Sequence, residues 1–262
     1  MKKIALTRAV SRVINNCELT HLDRQMIDLD RARAQHRDYE SALIKLGCEV
    51  IALAEMIDHA DSVFVEDTAV VLPEVALITR PGADSRKPEV DSIADALRPF
   101  RKLIFIDAPG TVDGGDVLVV GKNIFVGLSS RSNQSAIDQM QAKLGGYGYQ
   151  VRGVDMHDCL HLKTAVTQVG ANTLLINPAW VDRADFAAYD LIEVDPSEPF
   201  GANVVLIGDT VLYQPSYPKT LARLQSRGFN VILVDASELG KAEGALTCCS
   251  LIFSETKRDV DQ

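Results

Sequence analysis

The chain has 262 residues, enough for one large domain or two small ones and for a substantial buried core. Its 36 acidic residues outnumber 27 Lys and Arg, and the net charge of -9 lacks the basic footprint of a nucleic-acid or anionic-membrane binder. Hydrophobic residues make up 47% and charged residues 24%, a globular composition that argues against disorder and leaves a small cation as a plausible ligand.

The first ten residues, MKKIALTRAV, hold only a short apolar run, and Arg8 and Arg12 break it, so the segment does not read as a signal peptide. No window reaches 18 uninterrupted apolar residues, and no transmembrane helix is expected. Cysteines stand at 17, 48, 159, 248 and 249, an odd and scattered set with no C-x-x-C pair. That pattern argues against a disulfide framework or a structural zinc site and fits a reducing cytoplasm.

A repeat runs through the predicted strands. CEVIAL at 48–53 is followed by LIFID at 103–107, VRGVD at 151–155, LIEVD at 191–195 and VILVD at 231–235. The starts at 50, 103, 151, 191 and 231 are 53, 48, 40 and 40 residues apart. After each comes a polar loop and a second apolar run: DSVFVEDTAVVL, GGDVLVV, LKTAVTQV, ANVVLI and TCCSLIF. A third run follows four of these, VALITRP at 75–81, NIFVGLS at 123–129, TLLINP at 173–178 and TVLYQP at 210–215. Apolar residues spaced by three and four predict helices over Arg131–Lys143 and Pro218–Arg227, with Ser132 and Ser216 as N-caps and Gly228 as a C-terminal stop. The fifth unit ends after LIFSE without a third strand, and KKIALTR at the amino terminus is a spare strand of the right type. The expectation is an α/β ring of five units closed by the amino-terminal strand, which would leave no open sheet edge. It would fill residues 1–255 as a single domain, with a polar tail over 256–262.

Repeated folds place chemistry where equivalent loops converge. Four units carry an ionisable residue there: Asp61 with Glu66 and Asp67, Asp113 with Asp116, His161, and Cys248, while the fourth unit offers Gly201, Ala202 and Asn203. Taken singly, His161 between two leucines reads as a core histidine and Cys248 as a small apolar filler. Adjacent residues of a strand face opposite ways, so only one of Cys248 and Cys249 can face the centre. Carboxylate, imidazole and thiol at equivalent positions form a nucleophilic constellation. The further carboxylates would grip a planar cation such as guanidinium.

The residues DSVFVEDTAVVL at 61–72, ITRPGADSR at 78–86, APGTVDGGDVL at 108–118, SSRSN at 129–133, LHLKT at 160–164 and GALTCCSLIF at 244–253 run in the order found in the dimethylarginine dimethylaminohydrolases. The chain resembles that family of the guanidine-modifying superfamily over nearly its whole length. The resemblance implies a five-bladed, pseudo-symmetric α/β propeller of ββαβ units. It also implies Cys248 as nucleophile, His161 as general acid and base, and Asp113 as the carboxylate partner of the imidazole. By the same resemblance Asp61, Glu66 and Asp67 bind the guanidinium and amine, Arg86 and Arg131 receive the α-carboxylate, and Ala242 offers a backbone carbonyl. Leu19 (or Leu22, since the local alignment is gapped) is the lid leucine, and Glu243 stands where relatives often carry an acid.

The implied reaction is hydrolysis of Nω,Nω-dimethyl-L-arginine or its monomethyl analogue to citrulline through a covalent thiouronium on Cys248. No cofactor is implied, and zinc held between thiolate and imidazole would act only as an inhibitor. The implied partner is a small cationic amino acid, with neither nucleic acid nor membrane, on a monomer or homodimer. Two alternatives stay open: an arginine deiminase acting on unmethylated arginine, and a non-catalytic methylarginine-binding module.

Overall fold

The computed structural model describes residues 2–255, so the expected tail over 256–262 lies outside the described residues. Strand β1 (Lys3–Arg8) leads through helix α1 (Leu29–Lys45) to β2 (Cys48–Leu53). Four further units follow. The first contains β3 (Ala69–Val71), β4 (Val75–Ile78), α2 (Glu89–Leu97) and β5 (Lys102–Phe105). The second contains β6 (Val117–Val120), β7 (Asn123–Leu128), α3 (Gln134–Leu144) and β8 (Gln150–Asp155). The third contains the four-residue helix α4 (Leu162–Ala165), β9 (Val166–Gly170), β10 (Thr173–Ile176) and β11 (Asp190–Glu193). The fourth contains β12 (Val205–Ile207), β13 (Thr210–Tyr213), α5 (Pro218–Ser226) and β14 (Asn230–Leu233). Helix α6 (Ser237–Gly240) and β15 (Leu251–Ser254) complete the described chain.

These strands form five three-stranded sheets, each with a middle strand antiparallel to one neighbour and parallel to the other. The antiparallel pair is a local hairpin, whereas the parallel partner has to return by a crossover. Helices α1, α2, α3 and α5 supply that crossover in four blades; the third uses only a short 3-10 turn at Arg183–Phe186. The repeat read from the sequence is therefore real but framed one strand out. Runs such as LIFID and VILVD do not open a sheet; they close the preceding one as β5 beside β4 and β14 beside β13.

Ring closure follows the expectation. The fifth blade has the order β15-β1-β2, with Ile4 opposite Phe253 and Leu6 opposite Leu251 in antiparallel register, and Leu6 beside Ile51 in parallel register. Five apolar clusters fill the seams between blades, from Val70 and Val126 in one seam to Leu6, Ala76 and Phe253 in the seam that closes the ring. Middle strands such as VALI and TVLY are buried along their whole length, as strands covered on both faces are. The innermost strands β3, β6, β9, β12 and β15 all line one central channel of about 280 Å3.

Two helix starts differ from expectation. Helix α3 is capped by Asn133, whose side chain accepts from Ala136 N at 3.0 Å, because Ser132 is engaged elsewhere. Helix α5 begins at Pro218 after Tyr217, with no side-chain cap at Ser216; Pro at the first position has no N–H to satisfy. Gly228 does stop this helix, at φ +80°.

Candidate active site

Short helical turns, rather than strands, carry the candidate residues. Each precedes an innermost strand: Val65–Thr68 bears Glu66 and Asp67, Gly114–Asp116 is capped by Asp113, α4 is capped by His161, and Thr247–Cys249 contains Cys248. These positions are equivalent in the five-unit repeat, so the turns meet at one end of the ring. There they surround a chamber of about 30 Å3, lined by Asp61, Asp67, Asp113, His161, Cys248, Arg86, Arg131 and Ala242 among others.

His161 sits between two carboxylates, with Nε2 3.1 Å from Asp113 Oδ2 and Nδ1 3.8 Å from Asp67 Oδ1. Burial disfavours the imidazolium, but Asp67, Asp113 and Asp116 outweigh it and raise the His161 pKa to about 9. Two glycines make this approach feasible. A Cβ on Gly115 would stand 2.5 Å from His161 Nδ1, and one on Gly114 would stand 2.0 Å from the Glu66 carbonyl oxygen. Behind the imidazole, Asp116 accepts from Leu162 N at 2.9 Å and from the hydroxyls of Ser129 and Ser132, each at 2.6 Å. Ser132 Oγ in turn accepts from Asp113 N at 3.2 Å, and Ser129 Oγ from Arg131 N at 3.0 Å. One buried carboxylate thus ties together the backbones that carry His161, Asp113 and Arg131. Asp116 itself is raised to about 6 by burial.

Cys248 lies in a tight turn, not in a strand. Its Sγ accepts from Ala245 N at 3.4 Å, while Cys249 turns into the apolar core and donates to Ala245 O at 3.4 Å. Burial, with Glu66 and Asp67 nearby, pushes the Cys248 thiol well up from its ordinary value. Asp67 stays ionised against its burial because His161, Arg86 and the Gly115 amide favour the anion. Asp61 is raised to about 6 by burial, partly offset by Arg86, and its Oδ2 accepts from Glu18 N at 3.1 Å. A potential metal-holding set among the described residues is Asp67, Asp113 and His161, whose ligand atoms lie within 4.8 Å of one another; Cys248 is not in it.

Three expected contacts are arranged differently. Glu66 does not line the small chamber. Its carboxylate accepts from Lys163 Nζ and from Thr247 Oγ1 at 2.8 Å, forming a floor over the central channel. Consecutive residues of a helical turn diverge by about 100° or more, so Glu66 and Asp67 look to different sides. Arg86 lines the chamber but is buried, and most of its donors are committed. It binds Asp67, Glu89 (Nη2 to Oε2 at 2.6 Å) and the carbonyls of Asp61 and Phe64 at 3.1 and 2.9 Å. Arg131 is freer, reaching Thr20 Oγ1 at 3.3 Å. Leu19 packs against the core, whereas its neighbour Glu18 lines the chamber and Leu22 lines a neighbouring cavity of about 300 Å3.

Sequence reasoning missed Lys163 and Glu89, and it named Asn203 without giving it a role. Lys163 lies two residues beyond His161 in LHLKT, and that was the only available signal. Asn203, in the unit with no ionisable residue, stitches blades together by donating to Lys163 O and Thr247 Oγ1, both at 3.0 Å.

Known proteins resemble this chain in sequence and in fold. A family model described as "N,N dimethylarginine dimethylhydrolase, eukaryotic" matches residues 6–192. The N(G),N(G)-dimethylarginine dimethylaminohydrolase of Pseudomonas aeruginosa is 34% identical, over 95% of this chain and 98% of its own length. That of Streptomyces coelicolor is 37% identical, over 97% and 98%. The crystal structure of a Cys-to-Ser variant of the Pseudomonas aeruginosa protein complexed with citrulline superposes with a TM-score of 0.92 at 33% identity, over 97% of this chain and 100% of that one. The chain belongs to the dimethylarginine dimethylaminohydrolase family of carbon–nitrogen hydrolases.

Proposed function

We propose that the protein hydrolyses Nω,Nω-dimethyl-L-arginine and Nω-monomethyl-L-arginine to L-citrulline, releasing dimethylamine or methylamine. The observation that carries this reading is a half-buried thiol sharing one chamber with an imidazole set between two carboxylates, in a chain of this family. Asp67 grips the guanidinium and Glu66 adds negative charge from the floor. Asp61 and the Ala242 carbonyl take the α-amino group, Arg131 takes the α-carboxylate with Arg86 beside it, and Leu19 belongs to the lid.

Ionisation of the nucleophile is tied to binding. In the empty chamber, burial and the anions Glu66 and Asp67 keep Cys248 protonated. A guanidinium arriving against Asp67 brings positive charge to the sulfur, and the thiol proton departs to solvent. The thiolate adds to the guanidinium carbon. The C–N bond to the methylated nitrogen breaks, and that nitrogen leaves as an amine with a proton from the His161 imidazolium. Neutral His161 then takes a proton from water, which adds to the thiouronium carbon. The C–S bond breaks and citrulline forms. Attack on a carbon already polarised by its own cation needs no metal or organic cofactor; a metal held by Asp67, Asp113 and His161 would block the acid and base, which makes zinc an inhibitor.

Among the described residues no helix is long and apolar enough to cross a membrane, and five free cysteines suit a reducing compartment, so we assign the cytoplasm. Citrulline release is to be measured with dimethylarginine, monomethylarginine and arginine. Turnover preferring the methylated substrates, abolished in Cys248→Ser and retained in Cys249→Ser, is the expected result. Preference for arginine would make the protein a deiminase, and binding without turnover would make it a binding module.

A further inference from the structure

Glu243 adopts a left-handed backbone conformation, φ +58°, uncommon for a residue with a Cβ. It stands just after α6, where Gly244 N returns to Leu239 O at 3.1 Å, a helix-end position that glycine would occupy without strain. A glutamate there is explained by what its side chain does. Oε1 accepts from His21 N at 2.5 Å and Leu22 N at 2.6 Å, and Thr20 N approaches both oxygens at 3.0 and 3.1 Å. One carboxylate therefore holds three successive amides of a segment more than 200 residues away in sequence. The segment is pinned on its other side as well, by Glu18 N on Asp61 Oδ2 and Arg131 on Thr20 Oγ1.

The cavities show what this segment covers. The catalytic chamber of about 30 Å3 has room for roughly two waters and none for an amino acid with a guanidinium side chain. The neighbouring cavity of about 300 Å3 lies beneath His21 and Leu22 and shares Leu160, Glu243 and Gly244 with the chamber. The structure is thus a closed state, and the wall between the two spaces contains the carboxylate that holds the cover down.

We propose that Glu243 is a positioning residue whose carboxylate latches residues 18–22 over the chamber, preorganising the cover for substrate and gating its admission and the release of product. The proposal rests on reading the chamber as the dimethylarginine site. Without the latch, bound substrate has to order the cover itself, so affinity falls while the chemical groups stay in place.

The test compares Glu243→Gly with Glu243→Gln. Glycine tolerates the positive φ and removes the carboxylate; glutamine keeps length and one accepting oxygen. Glu243→Gly should raise KM for dimethylarginine by about tenfold or more, as expected for losing hydrogen bonds to a charged group, with kcat little lowered and citrulline dissociating faster. Glu243→Gln should fall between it and wild type. Hydrogen exchange at residues 20–22 in the substrate-free protein should accelerate in Glu243→Gly with an unchanged melting temperature. Unaltered exchange in that variant would overturn the latch, as would accelerated exchange with an unaltered KM. The exchange readout needs no substrate. Wild-type protein inactive on every methylarginine, with exchange at 20–22 still accelerated in Glu243→Gly, would therefore sink the functional reading and leave the latch standing.

Discussion

His161 gathers most of the site's electrostatics into one group. Its pKa of about 9 keeps the free protein's imidazolium protonated across the neutral range, so kcat/KM should hold until about pH 9 and fall above it. Asp113→Asn removes a partner that raises that pKa. The alkaline limb should move to lower pH and the rate should drop by about 10²-fold or more, read from pH–rate profiles of both proteins. The same shift enters stability. A pKa raised above the unfolded value of about 6.5 stabilises fully below that pH and is lost as pH rises through about 9, a window worth on the order of 3 kcal/mol. Urea unfolding of wild type and His161→Gln should therefore differ most below pH 6.5 and converge above 9. At this scale the residue types were legible in the sequence, but not their facing. Glu66 and Asp67 are adjacent in sequence and open onto different cavities, and Arg86 is claimed by Glu89 at a spacing that no motif flags.

The elements that carry the candidate residues are too short to announce themselves. Turns of three or four residues have no periodicity to read, so the Cys248–Cys249 pair was read as part of a strand, and both His161 and Cys248 are found in short turns just before the strands. The strands were visible because β-branched runs recur, yet a run cannot say whether it opens a sheet or closes the previous one. Pairing decides that, and a crossover helix hides it. Gly114 and Gly115 form the turn that lets Asp113, Asp67 and His161 come together. Gly115→Ala should leave the fold largely intact and cut activity sharply, because the new methyl meets the imidazole, a movable side chain. Gly114→Ala meets the Glu66 carbonyl, and chemical denaturation should show it to be the more destabilised of the two.

At the level of the whole molecule, what holds the ring is the contact of its ends. Leu6 is buried in the cluster joining the last blade to the first, and β1 covers the edge that β15 would otherwise expose. Leu6→Ala should cost about 2–5 kcal/mol in urea titration, as deletion from a close-packed core does. Purified protein kept below its new melting temperature should retain its turnover, since Leu6 does not line the chamber. The acidic excess behind the net charge of -9 does not describe the site; what the site uses is a handful of acids placed by symmetry-related turns.

The floor made by Glu66, Lys163 and Thr247 stands between the chamber and the central channel. Although a channel runs down the middle of the ring, nothing passes from it into the chamber while those three side chains remain joined. In the proposed reaction the amine leaves and water arrives on the side of that floor away from the channel. Both half-reactions of that proposal would then exchange their small molecules on one side of the floor, the side that residues 18–22 border.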